Sequence, residues 1–270
     1  MGEQFGRVAR ATVGDVLIEG FRVQFRIEKT SEATPNTIDF SVSNLSAATR
    51  ERLQKADVPV IFEAGYLDQT EVLFKGDCRW INSSHQETDW VTRIQSGDGG
   101  NAYSKSRVNE SFAPDTDVRD VAKKAMEAMK LEMRDAAIAV KNGDWKGAQE
   151  KLWHGCSASG RAANILSDVL GSGGMSWSIQ DGVLQVLSKG QTTGDKAVVL
   201  GPTTGLIGSP ELGEKGYMKI RSLLNGALKP GRRLVLNSSA FQGAFRIEKV
   251  LHVGDTHGSE WYSDVEAFPL

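Results

Sequence analysis

Cysteine is scarce. Cys78 and Cys156 are the only two in 270 residues, they lie far apart, and they form no C-x-x-C pair. That argues against a disulfide framework and fits free thiols in a reducing cytoplasm. No uncharged apolar run approaches the ~18 residues of a membrane span, so no stable membrane insertion is expected. The opening MGEQFGRVARATVGDVLIEGF lacks the apolar core of a signal peptide. Gly2 invites a myristoylation reading, but Arg7 stands where the motif requires Ser or Thr. Neither sign of charge dominates: 32 basic residues face 34 acidic ones, for a net charge of −2. The densest basic cluster is Lys215–Arg221, followed by Lys229, Arg232 and Arg233, which is too little for a nucleic-acid footprint. What remains is ordinary for a soluble globular chain: 40% apolar and 24% charged residues, enough to argue against disorder.

The strongest local signal is alternation. Phe21, Val23, Phe25 and Ile27 alternate with Arg22, Gln24, Arg26 and Glu28, the period-2 pattern of a half-buried strand. Ile38, Phe40 and Val42 repeat it after Pro35-Asn36. Val58–Tyr66, Glu71–Asn82 and Thr88–Ile94 read as further strands. Ser46 is an apt N-cap for a short helix over Ala47–Lys55. The spacing predicts an extended segment at Ala102–Phe112, then a helix after Pro114-Asp115-Thr116 in which Val118, Val121, Ala122, Ala125, Met126 and Met129 share one face. That methionine stripe reads as core packing in preference to a binding groove. Asn142-Gly143 breaks the helical run, with helices expected at Asp144–Leu152 and Ser159–Leu170. Met175–Gln180 and Val183–Leu187 flank Asp181-Gly182, a pair suited to a type I′ hairpin. From Ala197 the pattern is β again, with strands at Val198–Leu200, Gly216–Ser222, Arg232–Leu236, Ala244–Val253 and Ser259–Phe268. The pentapeptide FRIEK occurs at Phe25–Lys29 and again at Phe245–Lys249, which favours two related β-domains. The fold class read from this pattern is α+β, mainly β. Two antiparallel β-barrel domains, residues 1–100 and 191–270, flank a small α+β module at 101–190.

Three stretches invite a chemical reading. LHVGDTHGSEW at Leu251–Trp261 gathers His252, Asp255, His257 and Glu260. Zinc wants converging ligands, and His252 and His257 sit five apart across Gly254, which suits neither one helix face nor one strand face. The stretch reads better as a hairpin with Gly254–Gly258 at its tip, Trp261 on the core and Glu260 and Tyr262 facing the other way. His154-Gly155-Cys156 could hold an activated thiolate, but the spacing is too short and no third residue orients the pair. Gly201–Gly216 has neither a G-K-[ST] nor a G-x-G-x-x-G pattern and reads as a structural loop. No catalytic, metal-binding or cofactor-binding residue is assigned, and no cofactor is expected.

Taken in order, several segments are similar to phage baseplate hub proteins, the tail-tube-like barrel hub family of contractile-tailed phages. They are NTIDFSVSNL at residues 36–45, Phe74-Lys75-Gly76 and IQSGDG at 94–99. The C-terminal half adds TTGLIGSPE at 203–211, SLLNGALKPG at 222–231 and IEKVLHVGDTHGSEWY at 247–262. The resemblance implies tail-tube-like barrels in a homotrimer that sits between a hexameric tube and the central spike. Its partners would be the tail tube protein, the central spike protein and other baseplate and tape-measure proteins, with DNA only passing through the lumen. The implied place is the virion baseplate, after synthesis in the host bacterial cytoplasm. No spare segment is long enough for a fused lysozyme or peptidase. The alternatives are a tail-associated cell-wall hydrolase using His252, Asp255 and His257 or Cys156, and another tube-like adaptor such as a distal-tail or tube-initiator protein.

Overall fold

The computed structural model describes residues 6–54, 57–133, 151–152 and 154–270. These divide into two compact units. One is built from the segment ending at Thr30 with Asn36–Asp98 and Thr192–Leu270; the other takes Ser31–Pro35 and Gly99–Gln191.

The N-terminal part of the first unit contains β1 (Arg7–Val13), β2 (Val16–Glu19), β3 (Val23–Thr30), β4 (Thr37–Ser43), helix α1 (Ala47–Leu53), β5 (Pro59–Tyr66), β6 (Gln69–Gln86) and β7 (Asp89–Gly97). All seven strands send alternate side chains into one core that includes Ile18, Phe25, Phe40, Phe62, Phe74 and Ile94. Phe25 and Phe40 meet the Phe62 ring at centroid distances of 4.8 and 5.2 Å. The alternation around Val23–Ile27 thus reads correctly as a strand. β1 and β2 were not foreseen. The inward residues of RVARATV are Ala9, Ala11 and Val13, and two alanines carry little hydrophobic signal. Ser46 caps α1 by accepting a hydrogen bond from the Thr49 amide at 3.1 Å.

In the second unit lie α2 (Gly100–Lys105), β8 (Arg107–Phe112), β9 (Thr116–Asp117), α3 (Val118–Met129), β10 (Glu132–Met133), β11 (Lys151–Leu152), β12 (Cys156–Arg161), α4 (Ala162–Ser172), β13 (Met175–Gln180) and β14 (Val183–Ser188). The apolar face of α3 packs with Ala162, Leu166 and Leu170 of α4 and with Trp177 and Ile179 of β13. The methionine stripe is therefore core, as read. Asp181 and Gly182 both take positive φ, 57° and 85°, in the β13–β14 turn. Three expectations are corrected. Residues 102–105 of the expected extended segment are helical, and the extended part starts at Arg107. Cys156–Arg161 is a strand paired with β8, so α4 starts at Ala162, after the expected start at Ser159. Leu152 belongs to a strand paired with Thr116, not to a helix. Lys151 lies in the same strand, while residues 144–150 of the expected helix and the Asn142-Gly143 break lie outside the described residues.

The C-terminal part of the first unit contributes β15 (Val198–Leu200), β16 (Leu206–Leu212), β17 (Met218–Leu223), β18 (Arg233–Asn237), β19 (Gln242–Asp255) and β20 (Trp261–Pro269). Ile220, Leu228, Leu234, Ile247 and Val250 lie at the centre of its own core. The Gly201–Gly216 loop is a correction, because it contains β16. Its Gly208 and Pro210 interrupt the pairing between Ile207 and Glu211, which hides the strand from sequence inspection.

Antiparallel pairing of β19 with β3 joins both β-regions in a single sheet of order β16-β17-β20-β19-β3-β4-β7-β6-β5-β1-β2, with β15 and β18 branching from β19. The two FRIEK segments thus sit on adjacent strands at the junction, Lys249 opposite Thr30. They do not mark equivalent positions. The topological repeat runs otherwise: β16-β17-β20-β19 repeats β3-β4-β7-β6 in the same order. The long strand of each half carries one extra residue, Arg79 between the Cys78–Ser96 and Trp80–Gln95 pairs, and Glu248 between the Ile247–Ala267 and Lys249–Glu266 pairs. The matched bulges align Trp80 with Lys249 and Trp90 with Trp261.

Phe62→Ala is expected to destabilise the chain by about 3–5 kcal/mol, since an aromatic hub of the core is emptied. Urea denaturation followed by tryptophan fluorescence measures this, and a loss below about 1 kcal/mol contradicts the packing described.

Candidate functional site: the outer face of the shared sheet and its closing hairpin

β19 and β20 place LHVGDTHGSEW as a hairpin, as expected. Its four candidate ligands separate. His252 is buried, with Nδ1 2.8 Å from the Ser263 hydroxyl, which also accepts a hydrogen bond from the Asn225 amide. Asp255 caps the turn by accepting from the His257 amide at 2.8 Å. His257 lies in the exposed tip with Nδ1 2.9 Å from Thr256 Oγ1, and Glu260 is exposed. Among the described residues, no three His, Cys, Asp or Glu side chains converge on a metal position. Trp261 points into the core, with its ring edge-on to Phe25 at 5.4 Å.

The hairpin works as a clasp. Arg22 Nη2 donates to Asp255 Oδ2 at 2.9 Å and Gln24 Nε2 donates to the same oxygen at 2.8 Å. Thr256 exchanges two hydrogen bonds with the backbone of Val23, each 3.0 Å. Arg7 donates to the Asp255 carbonyl at 3.1 Å and lies over the Trp261 ring. A Cβ at Gly254 would come within 2.4 Å of the Phe25 ring, so only glycine allows this approach. Burial alone raises the Asp255 pKa. Arg22, the His257 amide and Gln24 together outweigh it and hold the carboxyl far below the ordinary carboxylate range.

His154 is exposed in a turn, whereas Cys156 opens β12 and packs on the core of the second unit. The structure does not assemble these two into a nucleophilic pair.

The solvent face of the shared sheet forms two hollows that share Arg26, of about 900 and about 750 Å³. Arg22, Arg26, Arg93, Lys219, Arg221 and Lys249 line them together with Asp39, Glu87, Asp89, Glu211, Glu260, Asp264 and Glu266. Four of the lining cations, Arg22, Arg93, Arg221 and Lys249, are held in ion pairs, Arg22 with Asp255. Arg93 bonds Asp39, and Lys249 bonds Glu28. Arg221 grips Asp264 through two bonds of 2.7 and 2.8 Å. Burial raises the Asp39 pKa, but Arg93 and Gln95 pull it below its usual value. Sequence reading missed these pairs because the partners lie far apart in the chain, 43 residues for Arg221 and Asp264 and 54 for Arg93 and Asp39, with Lys249 and Glu28 further apart still. Their only trace is a charged residue at the outward positions of alternating strands.

A depressed carboxyl adds stability that is present above its unfolded pKa, about 3.9, and is lost as pH falls through the folded value. Unfolding of the wild type should therefore steepen in its pH dependence below about pH 4. Asp255→Asn should flatten that dependence. Equal slopes in the two proteins, measured by thermal melts between acid and neutral pH, contradict the clasp.

A tail protein from Neisseria meningitidis MC58 superimposes with a TM-score of 0.67 at 9% identity, over 97% of this chain and 96% of that one. The 43 kDa tail protein of prophage MuSo2 from Shewanella oneidensis gives 0.68 at 9% identity, over 98% of each chain. The E. coli c3393 protein, described as a type VI secretion component similar to bacteriophage T4 tail proteins, gives 0.65 at 11% identity, over 96% of this chain and 76% of that one. At such identities the likeness is one of fold. No curated protein matches the sequence. The family model described as Baseplate hub gp41 matches residues 7–251, nearly the whole chain. The chain therefore belongs to the Baseplate hub gp41 family and is a structural protein of the phage tail baseplate.

Proposed function

We propose that this chain forms a homotrimeric hub ring that adapts a sixfold tail tube to a threefold central spike. The observation that carries this reading is the repeat of β3-β4-β7-β6 as β16-β17-β20-β19. A chain with two tube-like units offers six such units per trimer, which relates the two symmetries without a second protein. The barrels would be the regions 1–100 and 191–270, with 101–190 as an appended module. Tail tube protein, central spike protein and other baseplate and tape-measure proteins are the partners this reading implies. The spike-type association is supported by the fold shared with the c3393 protein.

The outer face of the shared sheet fits the wall of a channel for DNA. Basic and acidic side chains are nearly balanced there, and Arg22, Arg93, Arg221 and Lys249 are tied up in ion pairs. Such a wall gives passing phosphates no run of free cations to release counterions against, so DNA slides without sticking. A hydrolase reading finds less support, because His252 faces the interior while Asp255 is occupied by Arg22 and Gln24.

Native mass spectrometry of the purified chain is expected to give a trimer. A chain that stays monomeric at all concentrations, alone and with its tail partners, removes the hub reading. A second outcome concerns the wall. Asp39→Lys with Asp264→Lys frees two arginines and adds two cations, and should produce salt-sensitive DNA retention in a gel-shift assay that the wild type lacks. Equal retention by both proteins removes the channel-wall assignment.

A further inference from the structure

We infer that the distal half of β6 in one copy pairs with β16 of the next copy, in the register that β19 and β3 use within the chain. This rests on the trimeric reading above and specifies its interface.

The repeat supplies the template. Within the chain, the last seven residues of β19 are covered on their far side by β3, from Lys249 opposite Thr30 to Asp255 opposite Gln24. The matched bulges make Trp80–Gln86 the counterpart of Lys249–Asp255. Among the described residues this stretch pairs with β7 on one side only, since the β5 ladder ends at Asp77. At the other end of the sheet, β16 is the counterpart of β3 and, among the described residues, pairs only with β17. The chain thus carries one completed junction and the two separated halves of a second. Two unlike edges that complete each other define a head-to-tail contact, the kind that closes into a ring.

Exposed apolar groups mark both halves. Trp261 is 4% exposed beneath Phe25 of β3, whereas its counterpart Trp90 is 39% exposed and Trp80 is 44% exposed. On β16, Ile207 is 37% and Leu212 is 66% exposed. The β6 edge has no proline or glycine between Arg79 and Gln86, so nothing in its sequence blocks strand addition. β16, in contrast, is interrupted by Gly208 at φ 68° and by Pro210, which restricts pairing to residues on either side of the bulge. Such an interruption disfavours unselective strand addition while still accepting a partner in one register. Transferring the internal register, β17 aligns Ile207 with Gln24 and Glu211 with Arg26 of the first half. Gln86 of one copy should then lie opposite Ile207 of the next, and Ser84 opposite Glu211.

The test is a chain carrying Ser84→Cys and Glu211→Cys, with Cys156→Ser to remove the half-buried native thiol. Mild oxidation should give disulfide-linked dimers and trimers on a non-reducing gel, while either single variant stays uncrosslinked. Hydrogen exchange provides a second readout that needs no substitution: amides of residues 80–86 should slow by about tenfold or more on assembly. A trimer by mass with neither cross-links nor slowed exchange overturns the pairing and leaves the ring standing. A chain that remains monomeric at every concentration overturns both.

Discussion

The ladder between β3 and β19 is the constraint on which the rest of the first unit depends. Seven residue pairs from Lys249–Thr30 to Asp255–Gln24 turn two β-regions, distant in sequence, into one sheet. Ladder hydrogen bonds alone are individually modest, and their net contribution is of the order of 1 kcal/mol each. The junction is reinforced by side chains that only this register brings together. Phe25 meets Trp261, Arg22 and Gln24 meet Asp255, and Lys249 meets Glu28. A shift by one residue would turn every one of these onto the wrong face.

The same ladder explains why the most chemically suggestive segment is architectural. Asp255 is a strong hydrogen-bond acceptor at a turn, and in this fold its oxygens are used by an arginine, a glutamine and an amide. His252 is interior because β19 alternates, so a residue three positions before Asp255 points to the opposite face. A cluster dense in sequence is dispersed by strand geometry. In a baseplate hub, which must hold its shape while other proteins assemble on it, polar residues used to lock a hairpin make physical sense.

Duplication without visible sequence similarity has a similar cause. Strand order, bulge position and hairpin length depend on backbone pairing, and many sequences satisfy them. Trp90 and Trp261 hold the same place, yet one stands exposed beside Arg50 and the other is buried. The identical FRIEK segments, the most visible internal echo, lie on strands that are not counterparts. They match because outward charges and inward Phe and Ile suit any half-buried strand, and both happen to build the junction.

By itself the sequence determined the mainly β class, the alternating strands such as Val23–Ile27, the capped helix after Ser46, the core stripe of α3 and the Asp181-Gly182 turn. These depend on period, capping and turn chemistry within a few residues. The ordered motifs also pointed to the hub family, and in the fold Asn36 and Asp98, drawn from two of those motifs, meet through buried hydrogen bonds. Tertiary structure alone decided that β16 is a strand, that β1 and β2 exist, and that Arg93 belongs to Asp39. It also decided that the two β-regions are one sheet with an open edge at each end of its repeat. The shared sheet and the Arg93–Asp39 pair join residues tens to hundreds of positions apart, which no local pattern encodes, whereas β1 and β16 are hidden by inward alanines and by Gly208 and Pro210.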